Sequence, residues 1–171
     1  MNKQTIHFDI EYFQGYTCVG CAMIEDLAIE VEFINDEIAL MKQLVSQIDE
    51  TDYSGGIMPV LKDVAPELYK RIDAAARSEM FDFLVKDGIQ QGYIEFDDDE
   101  LRCNFLKDYN LSEEDYDEDL YYEWCDEEMS RISYSGLRWV RSRYSVDDQV
   151  TLEDDPEYTV DIPVEFLPKN N

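Results

Sequence analysis

TIHFDIEYF, residues 5–13, is the stretch whose reading decides the fold. Ile6, Phe8, Ile10 and Tyr12 alternate with His7, Asp9 and Glu11, the two-residue period of a strand with one face buried and the other in water. Residues 15–20, with glycine at either end, read as a turn. Over 21–34, Leu27, Ile29, Val31 and Phe33 take one face while Glu30 and Glu32 take the other, so the chain opens with a hairpin. Near the C-terminus Tyr158, Val160, Ile162, Val164 and Phe166 alternate with Glu157, Thr159, Asp161, Pro163 and Glu165. That predicts a further strand, at a sheet edge because Pro163 has no amide to donate.

The middle of the chain changes period. Asn35 is placed to cap a helix, with Asp36 and Glu37 favoured in its first turn by the helix dipole and Ile38, Met41, Leu44, Val45 and Ile48 along one side. TDYSGG, 51–56, reads as a loop. Pro66 suits the first turn of a second helix, carrying Leu68, Ile72, Ala76, Met80 and Phe83 up to a stop at Gly88. Residues 93–96 suggest a short strand. Asp97 with Glu100 forms a capping pattern before Leu101, Phe105 and Leu106, and Asn110 ends that helix. Ser112 with Asp115 repeats the pattern, and Tyr116, Leu120 and Trp124 follow at helical spacing. The expectation is a single α+β domain spanning 1–171, an antiparallel sheet from the N-terminal hairpin and C-terminal strand with three to four helices packed against it.

Hydrophobic residues at 44% in a chain of 171 supply a core, so the chain folds despite its charge. That charge is large: 41 Asp and Glu against 14 Lys and Arg leave −27. It opposes direct binding of nucleic acid or of anionic membranes, and it attracts basic surfaces. The first residues lack a basic segment followed by an apolar one, and no apolar run is long enough to span a bilayer. A cytoplasmic protein with reduced thiols is expected.

Motifs that could carry chemistry are incomplete. Cys18 and Cys21 have the spacing of a zinc or redox pair, but Cys103 and Cys125 are far apart in sequence and His7 is the lone histidine. They read as hairpin or core cysteines, with no metal and no cofactor. Asp115, Asp117 and Asp119 open like a calcium loop, yet Leu120 stands where the loop needs glycine and Asp126 where it needs glutamate. Nucleophile, phosphate-loop and HExxH patterns are missing, so no enzyme is expected. The one basic island, Arg131, Arg138, Arg141 and Arg143 with Tyr134, Trp139 and Tyr144, reads as relief of self-repulsion or an oligomer contact.

The acids themselves are the remaining signal. They occupy the outer faces of the expected elements: Asp9 and Glu11, Glu30 and Glu32, Asp161 and Glu165, then Glu113, Glu114, Asp117, Glu118, Glu123, Asp126 and Glu127 on the helix. Tyr121, Tyr122 and Trp124, where exposed, add aromatic contacts. Residues two apart on a strand lie about 6.7 Å apart and residues four apart on a helix rise about 6 Å, a scale comparable to neighbouring phosphates. At one DNA charge per roughly 1.7 Å, the −27 total matches about 46 Å of duplex. An acidic protein occupying the basic groove of a nuclease or DNA-binding protein, of DNA-mimic, antirestriction or immunity type, is therefore the leading expectation. In charge balance the chain resembles DNA-mimic antirestriction proteins, a likeness of charge and not of motif. The competing expectation is an accessory or structural protein whose acidity serves solubility or salt adaptation, and behind it stand a carboxylate enzyme and a metal module.

Overall fold

In the computed structural model, which describes residues 2–18, 21–48, 56–96, 98–128, 137–141 and 148–169, the alternation at 5–13 forms the middle of strand β1, Lys3–Cys18. Strand β2, Cys21–Ile34, returns beside it antiparallel, with Ile6 opposite Val31 and Ile10 opposite Leu27. The turn expected at 15–20 is shorter than its glycines suggested. β1 runs on to Cys18, and the register steps between Phe13 and Gly15 and again between Tyr16 and Cys18. A glycine inside a strand more often marks such an irregularity than an end.

The C-terminal strand is also shorter than its alternation. β5, Glu157–Val160, pairs with Ile10–Phe13 of β1, giving the order β2-β1-β5 with β5 at an edge as expected. Past Pro163 the chain bends into a 3-10 turn, Val164–Phe166. Val164 is consequently 78% exposed while Phe166 is buried, which a continued strand of one parity would not permit. The Phe166 ring packs at a tilt, 5.8 Å from Phe33 and 6.4 Å from Phe8. Full burial of such a side chain contributes about 1.5–3 kcal/mol, which outweighs continuing the ladder through a residue without an amide.

By internal contacts the chain divides into two compact units, Met1–Phe83 with Leu152–Asn171, and Leu84–Thr151. In the first, the inner face of the sheet packs on Met41, Leu44 and Val45 of α1 (Asn35–Gln47), Leu61 of α2 (Met58–Val64), and Leu68, Ile72, Ala76 and Met80 of α3 (Pro66–Gln90). The α+β class is as expected, and α3 starts at Pro66. Helix α2 was not anticipated, because only Ile57 and Leu61 are buried in so short a segment. Asn35 is not the cap of α1. Ile34 holds that position without a side-chain bond, and the Ile34 amide is satisfied by Glu37 Oε2 at 3.0 Å. Glu37 also receives Arg71 of α3, whose Nη1 donates to the Glu32 carbonyl at 2.9 Å. One guanidinium thus fastens α3 to both α1 and β2.

In the second unit α3 continues through Gly88. The glycine is not the stop that sequence suggested; it is a close-approach position, where an added Cβ falls 2.2 Å from Ile94 Cδ1. The helix ends instead at Gly92, φ 75°, with the Tyr93 amide donating to Gly88 and the Gly92 amide to Ile89, a Schellman closure. β3, Ile94–Phe96, confirms the short strand and pairs with β4, Leu137–Trp139. Asn110, φ 52°, ends α4 (Asp98–Asp108) in the same way as Gly92 ends α3. Asp97, expected to cap α4, lies outside the described residues.

The segment expected as one helix from Ser112 is two pieces, a 3-10 turn at Glu113–Asp115 and α5 at Glu118–Glu128. The helix cap is Asp117, whose Oδ1 accepts the Leu120 amide at 3.1 Å. Phe105 sits at the hub of the α4–α5 core, 5.2–6.0 Å from the rings of Tyr109, Tyr116, Tyr121 and Trp124.

Two outcomes follow from these contacts. Burial works against the charge on Glu37, but the bonds from Arg71 and the Ile34 amide prevail and hold its carboxyl below the ordinary value of 4.5. A depressed folded-state value contributes stability above the unfolded value that is lost as pH falls through the folded one. Glu37→Gln is therefore expected to lose about 1 kcal/mol at neutral pH, after allowance for the exposure of Arg71, and urea titrations should show its gap to wild type closing below pH 4.5. Gly88→Ala should cost about 1–3 kcal/mol by overpacking against Ile94, and pairing it with Ile94→Val should recover part of that loss in thermal unfolding.

Candidate functional site

With α1, α2 and α3 packed on one face of the three-stranded sheet, the residues from Thr5 to Glu11 and from Asp26 to Glu32 that point to the other face are exposed or half-buried. The phase of that face is fixed by two hydrogen bonds. The Asp161 amide donates to the Asp9 carbonyl at 2.9 Å, so the backbone of Asp9 faces β5. The Arg71 bond to the Glu32 carbonyl shows that Glu32 faces away from β1. The pairs Thr5–Glu32, His7–Glu30, Asp9–Ala28 and Glu11–Asp26 are thus the non-hydrogen-bonded positions of the ladder, where Cα atoms approach to about 4.5 Å and side chains are closest.

That phase creates two like-charge oppositions. Glu11 lies directly across from Asp26, and Asp9 lies across from Asp161 by the register that pairs Ile10 with Val160. Asp9 and Glu11 are themselves neighbours on the same face of β1, about 6.7 Å apart. Among the described residues none of these four carboxylates makes an ion pair. They rim a shallow concavity of about 420 Å³ whose floor includes Ile10, Leu27 and Ala28. Exposed Ala28 leaves the space between them open.

The candidates Glu30 and Glu32 continue the same face but are partnered: Glu32 meets Lys3 at 2.8 Å and Glu30 meets His7 Nδ1 at 3.2 Å. The hydrogen bond from Lys3, with its charge, holds the exposed Glu32 carboxyl below the ordinary value. Asp161 falls just past β5. Glu165 leaves the stripe, because it sits in the 3-10 turn after Pro163.

The second unit uses its acids differently. Glu113 pairs with Arg102 at 2.9 Å, and Arg102 also lies 4.0 Å over the Tyr116 ring. Asp117 caps α5, Asp115 accepts the Ser112 hydroxyl at 2.7 Å, and Asp108 accepts the Trp124 indole at 3.1 Å. Glu114, Glu118, Glu123 and Glu127 are exposed, while the side chain of Asp126 lies outside the described residues. Of the aromatic candidates, Tyr121 and Trp124 are buried in the core and Tyr122 is 58% exposed. Tyr122 alone has the exposure that a partner contact requires.

Cys18 and Cys21 face each other across the end of the hairpin, with side chains outside the described residues; Cys103 is exposed and Cys125 half-buried. Among the described residues no three His, Cys, Asp or Glu converge to hold a metal ion. Of the basic island, Trp139 is buried in β4, Arg138 stands opposite Glu95, and Arg131, Tyr134, Arg143 and Tyr144 lie outside the described residues. A larger groove of about 590 Å³ runs beside β5, lined by Met58, Lys62, Tyr69, Pro156 and Tyr158 among others. Burial, and a hydrogen bond to Asp73, push the Tyr158 hydroxyl far above the ordinary tyrosine value. It therefore remains a donor. Asp73 also accepts Arg77 Nε at 2.9 Å, and Arg77 reaches the Asp154 carbonyl at 3.0 Å, which fastens the approach to β5 onto α3. No helix of the described residues is long and apolar enough to cross a membrane.

Asp26 was missed by sequence reading, although it shares the parity of Glu30 and Glu32. Asp9 and Glu11 were legible as outward residues, but their opposition to Asp161 and Asp26 was not. No protein-family model matches the chain, and neither a curated protein nor a solved structure does.

Like charges directly opposite on a ladder destabilise it. Asp26→Asn, which keeps the shape and removes one charge of the Glu11 pair, is expected to raise stability by roughly 0.2–1 kcal/mol. The gain should shrink as salt is added to the denaturation series.

Proposed function

We propose that this protein is an acidic binding protein that occupies the basic groove of a nuclease or other nucleic-acid-binding protein, in the manner of a DNA mimic, antirestriction or immunity protein. The observation that carries the reading is the group Asp9, Glu11, Asp26 and Asp161, unpaired among the described residues and set in opposed pairs on an open sheet face. Mutual repulsion there is a standing cost to the fold. A cationic partner converts that cost into attraction.

The mechanism is occupancy. The net charge of −27 steers encounter with a basic surface and speeds it. Carboxylates spaced about 5–7 Å apart on a hydrogen-bonded ladder then take the places of phosphates with little loss of conformational freedom, since the backbone beneath them is already ordered. Glu30 and Glu32 lengthen the stripe once Lys3 and His7 yield to the partner's cations. The exposed acids of α5 and the turn before it, with Tyr122, offer a second contact surface. On this reading the protein acts in the cytoplasm without catalysis, cofactor, direct nucleic-acid contact or membrane.

The test is capture of partners on immobilised protein at low salt, followed by elution with rising salt and, separately, with duplex DNA. The expected result is recovery of basic nucleic-acid-binding proteins that both treatments release. Neutralising Asp9, Glu11, Asp26 and Asp161 together to their amides should weaken binding of the recovered partner by about tenfold or more. Failure to recover a basic partner, together with a requirement for molar salt to remain folded, would instead assign the acidity to salt adaptation.

A further inference from the structure

The same register that exposes the acids also determines what the rim of the sheet offers. β2 has β1 on one side and, in the order β2-β1-β5, no strand on the other among the described residues. Because Glu32 turns its carbonyl away from β1, every second residue before it does likewise. Ile24, Asp26, Ala28 and Glu30 therefore aim their backbone N–H and C=O groups outward along the rim. Among the described residues the Glu32 carbonyl is held by Arg71, while the outward groups of Asp26, Ala28 and Glu30 meet no backbone partner.

We infer that this rim is a docking strand for a basic extended segment, which adds to β2 antiparallel and lays its Lys or Arg side chains beside Asp26 and Glu30. The inference rests on the basic-partner reading above and specifies the manner of contact. Charge selects the occupant. A second copy of the chain placed edge to edge would set acids against acids, the arrangement by which natural sheets block self-pairing. A segment with a cation at every second position meets the reverse situation. In an added antiparallel strand, residues opposite Asp26, Ala28 and Glu30 share their outer face, so alternate cations fall beside the carboxylates. The residues between them lie on the helix-covered side, next to half-buried Leu27, and are best apolar. Main-chain bonds supply affinity and the alternating side chains supply selectivity, as in strand addition generally. Arg71 at the Glu32 carbonyl marks where the docking strand ends.

The experiment titrates the full chain at low salt with three short peptides and follows binding by amide chemical shifts and hydrogen exchange. One peptide alternates lysine with valine; one has the same composition with all lysines first; one alternates but is N-methylated at the lysine amides. The alternating peptide is expected to bind and to slow exchange at residues 26, 28 and 30, whereas each of the others should bind about tenfold more weakly or worse. Ala28→Pro removes one outward amide without changing charge, at an edge position where proline is tolerated, and should weaken the alternating peptide by a similar factor. Equal binding of all three peptides overturns strand addition while leaving the basic-partner reading intact. If none of them binds, both fall.

Discussion

β1 lies between two strands, and this position constrains its side chains on both faces. Ile6, Phe8, Ile10 and Tyr12 are each 3% exposed or less, and each is worth about 1.5–3 kcal/mol buried. A slip of one residue would carry Asp9 and Glu11 into the core and these four into water. The repulsion between opposed carboxylates amounts to roughly 0.2–1 kcal/mol per pair. Burial on the inner face is several times larger, so it dictates the register and the outer face accepts whatever charges result. The acidic group on the sheet is held together by the hydrophobic effect acting through the thickness of one strand.

This asymmetry distinguishes the two acidic regions. Around α4 and α5 many carboxylates have local tasks: Asp117 caps a helix, Asp108 holds the Trp124 indole, Glu113 neutralises Arg102. Such groups lower the energy of the fold and would lose something by turning to a partner. On the sheet, Asp9, Glu11, Asp26 and Asp161 have no such employment among the described residues. The stretch richest in acids by sequence is thus partly consumed by its own structure, while a sparser set on the sheet is left available. Density of charge along a chain and availability of charge in a fold are different quantities.

Fastening devices keep that availability from being lost to distortion. Arg71 ties α3 to α1 and to the rim of β2, and Asp73 with Arg77 and Tyr158 ties α3 to β5. Both outer strands of the sheet are anchored to one helix through charge-assisted bonds, the stronger class of hydrogen bond. A surface of fixed carboxylates needs such anchoring, because repulsion would otherwise be relieved by splaying the strands.

Much of the architecture was legible residue by residue. The hairpin, the start of α3 at Pro66, the end of α4 at Asn110, and the packing of half-buried Tyr116 and Leu120 with buried Trp124 against the α4–α5 core were all visible, because strand alternation, helical spacing, proline and left-handed caps are properties of a few neighbouring residues. What failed was where the chain stops: β1 passing its glycine, β5 halted by Pro163, α3 continuing through Gly88, and the break at Tyr116 and Asp117. Ends depend on contacts beyond the immediate neighbours, such as Ile94 folding back against Gly88 past the turn and Phe166 packing on the distant Phe8 and Phe33. The site divides along the same line. Sequence alone determined that Asp9, Glu11, Glu30 and Glu32 face outward, since backbone geometry turns successive side chains to opposite sides. Only the tertiary structure decided that Asp26 stands against Glu11, that Asp161 stands against Asp9, and that β2 pairs on one side alone among the described residues, because which residues lie across a ladder is set by pairing between distant segments.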